Sequence, residues 1–111
     1  ISRKAASDIT KMMISVVEKG HGQQAKVKGY QVAGKTGTAQ VPDPKGGYDA
    51  NKNIGTFIGF APANNARFVV LAKIDEPKGI PWAESSAAPI VGSMLDFLLK
   101  YYQVSPTEKT N

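Results

Sequence analysis

The spacing of apolar residues divides the chain into regular elements. Ala5, Ile9, Met12, Met13, Val16 and Val17 recur every three or four positions, which predicts an amphipathic helix with these side chains on one stripe. Ser2 stands where an N-cap is needed, and Gly20 and Gly22 stop the helix. From Tyr30 to Val41 the residues are largely small or β-branched, bounded by Gly29 and Pro42, and read as a strand. Alternation along it puts Lys35, Gly37 and Ala39 on one face and Thr36 and Thr38 on the other. Pro42 to Asn53 is dense in Pro, Gly, Asp and Asn and reads as a loop. Ile54 to Phe60 and Arg67 to Ile74 are two further strands, and the Asn64-Asn65 turn between them favours an antiparallel hairpin. A second Pro/Gly-rich loop covers Asp75 to Trp82. A final helix then begins at Glu84 or Pro89 and runs to Tyr102, with Ile90, Val91, Met94, Leu95, Leu98 and Tyr102 on its apolar face.

The order is helix, three strands, helix. Elements segregated in this way predict an α+β fold, an antiparallel sheet flanked by an N-terminal and a C-terminal helix. Residues 1–102 form the folded part, and 103–111 are a polar tail expected to be loose. Three strands with one apolar face make a thin core, so the segment is expected to belong to a larger domain. The first residue, Ile1, is what a processed or excised chain would begin with.

Composition removes several function classes. With 41% hydrophobic and 21% charged residues, the chain is ordinary for a globular protein and is not disordered throughout. No run approaches the ~18 apolar residues of a membrane span, so no membrane contact by this segment is expected. The absence of cysteine excludes disulfides, thiolate catalysis and cysteine-bound metal. The net charge of +5 is dispersed, with no aromatic residues among the basic ones, which describes a solvated surface rather than a nucleic-acid site. His21, the single histidine, lies between glycines and reads as a solvated turn residue with no second histidine to share a metal. Neither a metal nor a cofactor is therefore expected. Trp82 is expected to cap the core, with a groove-lining aromatic as the alternative, Asp75-Glu76 to end a strand, and Tyr101-Tyr102 to pack the last helix.

The chemistry concentrates around Lys35. Gly29 to Thr36 matches the phosphate-loop pattern G-x-x-x-x-G-K-[ST], and Val69 to Asp75 looks like its apolar strand ending in a magnesium-binding Asp. Such a loop needs a buried strand before the first glycine and a helix starting at Lys-Thr, whose N-terminus holds the phosphates. Gln23 to Lys28 is too polar for that strand. Gly37, Thr38 and Val41, with Pro42 and Pro44 close behind, make a poor helix. As a strand the same residues suit acyl transfer. Lys35 offers a cation, Gly37 leaves its face clear for an extended ligand, Thr36 and Thr38 offer hydroxyls, and the strand edge offers N–H groups to an oxyanion.

Lys-Thr-Gly is one of three short motifs of the serine acyl-transferases that include penicillin-binding proteins and β-lactamases. The run Gly29-Tyr-Gln-Val-Ala-Gly-Lys-Thr-Gly-Thr-Ala-Gln40 resembles the third-motif strand of class B penicillin-binding proteins, the transpeptidases that cross-link peptidoglycan. Met12 to Gly20, Phe57 to Pro62 and Ala87-Ala88-Pro89 fit the same family in order and spacing. The resemblance implies an antiparallel sheet with helices around it and the Lys-Thr-Gly strand as one wall of a groove. It implies that Lys35 is catalytic, hydrogen-bonding the serine of the second motif and the substrate carboxylate. Thr36 and Thr38 would bind the carboxylate of a stem peptide ending in D-Ala-D-Ala, or of a β-lactam. The N–H of Thr38 would serve the oxyanion, and Gly37 would keep the strand open. It also implies a bacterial cell envelope location, outside the cytoplasmic membrane. None of the serines at 2, 7, 15, 85, 86, 93 and 105 has lysine three residues on, and no Ser-x-Asn occurs. Both motifs precede the Lys-Thr-Gly strand in the family, so the nucleophile is expected on an upstream part of the same domain and the isolated segment is expected to be inactive. A carboxypeptidase, a β-lactamase or a β-lactam sensor without turnover would share these features, with the phosphate loop as the remaining alternative.

Overall fold

The computed structural model describes residues 1–107; the last four residues of the polar tail, 108–111, lie outside the described residues. Helix α1 spans Arg3–Lys19. The Ser2 hydroxyl accepts from the Ala5 N–H at 3.1 Å, so the cap expected from sequence is made. At the far end the Gly20 N–H donates to the carbonyls of Ser15 and Val16. Only part of the predicted stripe is buried. Val17 enters the core, whereas Ile9 and Met12 are exposed, because α1 meets the sheet along its edge strand and its apolar arc is wider than that contact.

A short 3₁₀ turn at Gln23–Ala25 and a tight reversal at Val27–Tyr30, with Gly29 at φ +88°, lead into the sheet. Three antiparallel strands follow in spatial order β1-β2-β3: β1 at Ala33–Pro42, β2 at Tyr48–Ala61 and β3 at Phe68–Asp75. The expected loop from Pro42 to Asn53 is in large part strand. Val41 pairs with Asp49 and Pro42 with Tyr48 after a register shift beyond Gln40, and the reversal is confined to residues 43–47. There the Asp43 carboxylate accepts from the Lys45 N–H at 2.8 Å, and Gly46 and Gly47 take positive φ. The predicted Asn64-Asn65 turn joins β2 to β3, with Asn65 at φ 60°.

Helix α2, Ala83–Tyr101, begins at the early end of the predicted range and carries Pro89 in its second turn instead of at its head. It lies across β2 and β3. Its buried line is Ala87, Val91, Leu95 and Leu99, spaced at i, i+4, while Ile90 and Met94 are about half exposed. On the sheet, Gly55, Phe57, Gly59 and Ala61 of β2, with Phe68, Val70, Ala72 and Ile74 of β3, face the helices. Ile58, Val69 and Leu71 on the opposite face are exposed among the described residues. The start of the polar tail is tied down where sequence predicts a loose segment. Tyr30 Oη donates to the Val104 carbonyl, and the Thr107 N–H donates to Gly29 O at 3.0 Å. Tyr102 packs on Phe68 with ring centroids 5.3 Å apart, whereas Tyr101 is 68% exposed, so one residue of the expected pair packs the helix on the sheet.

Gly92 marks the closest approach of α2 to the 3₁₀ turn. A Cβ there would lie 2.9 Å from Ala25 Cα and 3.0 Å from Gln24 O, both backbone atoms that cannot rotate away. Gly92→Ala is therefore expected to lower stability by roughly 1–3 kcal/mol, the usual range for overpacking, despite alanine's better helix propensity. Thermal unfolding checks this; an unchanged or raised Tm contradicts it.

Candidate functional site

The edge strand β1 carries the residues singled out from sequence, and its pleat separates them. Antiparallel register puts Thr36 opposite Phe57 and Thr38 opposite Gly55, so both threonines share the face that carries the helices. Lys35 and Gly37, opposite Ile58 and Thr56, occupy the other face. The expected alternation holds. Gly34, Lys35 and Thr36 lie inside β1 and no helix starts at Lys-Thr, so the geometry a phosphate loop requires is not formed. Asp75 ends β3 and pairs with Lys73 at 3.0 Å.

Thr36 and Thr38 open into a cavity of about 390 Å³, completed by His21, Trp82, Ala83 and Glu84. The first turn of α2 and the turn after α1 thus form its far wall. A second cavity of about 410 Å³ continues from Thr38 and Trp82 along β1, past Gln40, Asn51, Lys52 and Asn53. Together they make a trough along the second half of the strand. Its size suits a small ligand or a short stretch of peptide. Asn53 anchors the floor through Nδ2, which donates to Ile80 O at 3.3 Å, while its buried Oδ1 has no partner among the described residues.

Lys35 leaves the strand on the other face, but its exposed ammonium folds back toward Thr36. It donates to Thr36 O at 2.8 Å and approaches Thr36 Oγ1 at 3.4 Å. The space over Gly37 holds a hydroxyl. Thr56 Oγ1 donates to Gly37 O at 3.2 Å, and a Cβ on Gly37 would come within 2.5 Å of Thr56 Oγ1. The glycine thus lets Thr56 bond across the ladder as well as keeping side-chain bulk off the strand. As an edge strand, β1 also leaves part of its backbone N–H and C=O groups without ladder partners.

Sequence reasoning missed the far wall. His21, read as a solvated turn residue, is exposed but its Nδ1 lies 2.7 Å from Glu84 Oε2. Trp82 is 60% exposed and lines both cavities, which is the groove-lining alternative and not the expected core cap. These residues come together only because α2 starts beside β1. The Trp82-Ala83-Glu84 run carries no local signal of that docking.

The chain belongs to the penicillin-binding-protein transpeptidase family: the model of the penicillin binding protein transpeptidase domain matches residues 1–96. Stage V sporulation protein D of Bacillus subtilis is 45% identical over 108 residues, covering 96% of this chain and 16% of that protein. A peptidoglycan D,D-transpeptidase FtsI of Buchnera aphidicola is 36% identical over 107 residues, covering 95% of this chain and 18% of that protein. The chain therefore spans less than a fifth of the length of these two curated relatives. Among solved structures, the transpeptidase domain of Burkholderia pseudomallei penicillin-binding protein 3 superposes with a TM-score of 0.88 at 33% identity, covering 98% of this chain and 33% of that one. Penicillin-binding protein 3 of Mycobacterium tuberculosis, complexed with ampicillin, gives a TM-score of 0.86 at 33% identity, covering all of this chain (100%) and 27% of that one. The α+β arrangement, with its antiparallel sheet and two helices, is thereby part of the fold of a penicillin-binding transpeptidase domain.

Proposed function

We propose that these residues supply one wall of the active site of a peptidoglycan D,D-transpeptidase in the bacterial cell envelope, on the outer side of the cytoplasmic membrane. One observation carries this reading: Thr36 and Thr38 reach a single cavity from an edge strand, and the Lys35 ammonium folds back to within 3.4 Å of the Thr36 hydroxyl. In this assignment the two hydroxyls hold the carboxylate of a peptide ending in D-Ala-D-Ala, or of a β-lactam. The Thr38 N–H donates to the oxyanion, and Lys35 places positive charge beside the reacting serine. That serine lies outside the 111 residues. Its Oγ attacks the penultimate carbonyl carbon and the C–N bond breaks. The terminal D-Ala leaves as an amine after taking a proton. An amine of a neighbouring stem peptide then attacks the acyl ester, restoring the serine with its proton. The ampicillin complex of the mycobacterial relative supports the β-lactam part of the assignment.

The division of labour has a direct test. Incubated with a fluorescent penicillin, the isolated 111-residue chain is expected to form no stable covalent adduct. The full-length protein is expected to be labelled on a serine outside this segment, mapped by peptide mass spectrometry. An adduct on Ser85, Ser86, Ser93 or any other serine of this chain defeats the assignment.

A further inference from the structure

The acyl-transfer reading gives no role to one wall of the cavity beside Thr36 and Thr38, the wall formed by His21, Trp82 and Glu84. His21 and Glu84 come from positions 63 residues apart and meet at 2.7 Å. With side-chain exposures of 85% and 34% the pair is open to solvent, so its screened attraction adds little to stability. What the contact does is orient Glu84. The imidazole takes Oε2, and Oε1 makes no hydrogen bond among the described residues. The Trp82 indole lines the same space, 60% exposed. A partly buried carboxylate with a free oxygen and an open aromatic ring form a pair that binds an ammonium group, through ion pair and cation–π attraction together. Lys35 projects from the other face of the strand, but its ammonium folds back to 3.4 Å from Thr36 Oγ1, so positive charge stands at the threonine end of the cavity and the Glu84 carboxylate at the other wall.

We propose that this cavity recognises ligands carrying a free amine as well as the carboxylate assigned to Thr36 and Thr38. Glu84 is the ion-pair partner of the ammonium, Trp82 supplies the ring, and His21 is the positioning residue that holds Glu84. This rests on the acyl-transfer reading and narrows its substrate class to zwitterionic peptides and β-lactams. Ampicillin and benzylpenicillin make a matched pair of probes, since ampicillin adds a single amino group to the same side chain.

The experiment measures second-order acylation rates of the full-length protein by both penicillins. The unmodified protein is expected to favour ampicillin. Glu84→Gln, which keeps shape and removes charge, is expected to slow ampicillin by about tenfold, in the range for a hydrogen bond to a charged group, and to slow benzylpenicillin much less. Glu84→Asp, retaining the charge, should recover part of the ampicillin rate, and His21→Gln should lose part of it. Equal slowing of both penicillins by Glu84→Gln, or no effect on either, overturns the inference while the acyl-transfer reading stands. Failure of both penicillins to acylate the unmodified protein overturns both.

Discussion

Replacing Lys35 with alanine in the full-length protein is expected to slow penicillin acylation by about 10²–10⁴-fold, the usual contribution of a group that assists proton transfer, while leaving the fold intact. The second half of that expectation follows from exposure. The Lys35 ammonium touches only the carbonyl and hydroxyl of the next residue, and surface substitutions of this kind change stability by no more than about 0.5 kcal/mol. The first half follows from position. Lys35 stands on an edge strand, one residue from a hydroxyl that faces the cavity, and its bond to Thr36 O is a resting contact that a ligand carboxylate or serine can replace. Lys35→Arg keeps the charge but spreads it over a planar fork, so it should recover little of the rate if a compact ammonium is required. Circular dichroism and thermal unfolding should match the unmodified protein for both variants. A loss smaller than tenfold for Lys35→Ala would mean that the lysine is solvated surface and that the wall works through Thr36 and Thr38 alone.

Periodicity located the helices and the apolar strand cores, because burial leaves a trace in the sequence wherever one face is dry. It failed where pairing overrides local preference. After Tyr48, residues 49–53 (Asp-Ala-Asn-Lys-Asn) have almost no strand propensity, yet they continue β2, because Tyr48, Asp49 and Asn53 pair with β1 on either side of an irregularity at 50–52. Periodicity also over-assigned burial. Ile9, Met12, Ile90 and Met94 fit their stripes but face outward, because the helix contacts are narrower than the apolar arcs. The candidate site was legible in the same proportion. Lys35 to Thr38 form a contiguous motif whose alternation can be read from order alone, whereas Glu84, Trp82 and His21 join it through a contact between residues 63 positions apart. No spacing rule reaches that far.

Phe57→Ala is expected to lower stability by roughly 3–5 kcal/mol, the span measured for large aromatic truncations in cores, and the environment of the ring argues for the upper end. Phe57 is fully buried, one of the largest side chains so placed. Three glycines surround it: a Cβ would lie 2.5 Å from the ring at Gly34, 3.2 Å at Gly22 and 3.2 Å at Gly59. Glycines have no side chains to move into the vacated volume, so the cavity would stay open unless the backbone itself shifted. Folded domains have only about 5–15 kcal/mol in hand, so the loss would consume a large share of it. Phe57 also pairs with Thr36 across the ladder, and Gly34, under its ring, precedes Lys35. A loosened ring would therefore loosen the strand that carries the site. Phe57→Leu, which refills most of the space, should recover most of the stability and of the acylation rate. Thermal or urea unfolding of the transpeptidase domain, read beside penicillin acylation, tests both links. If Phe57→Ala unfolds within about 1 kcal/mol of the unmodified domain, below the range for such a truncation, the glycine-walled ring is not what holds β1 in place.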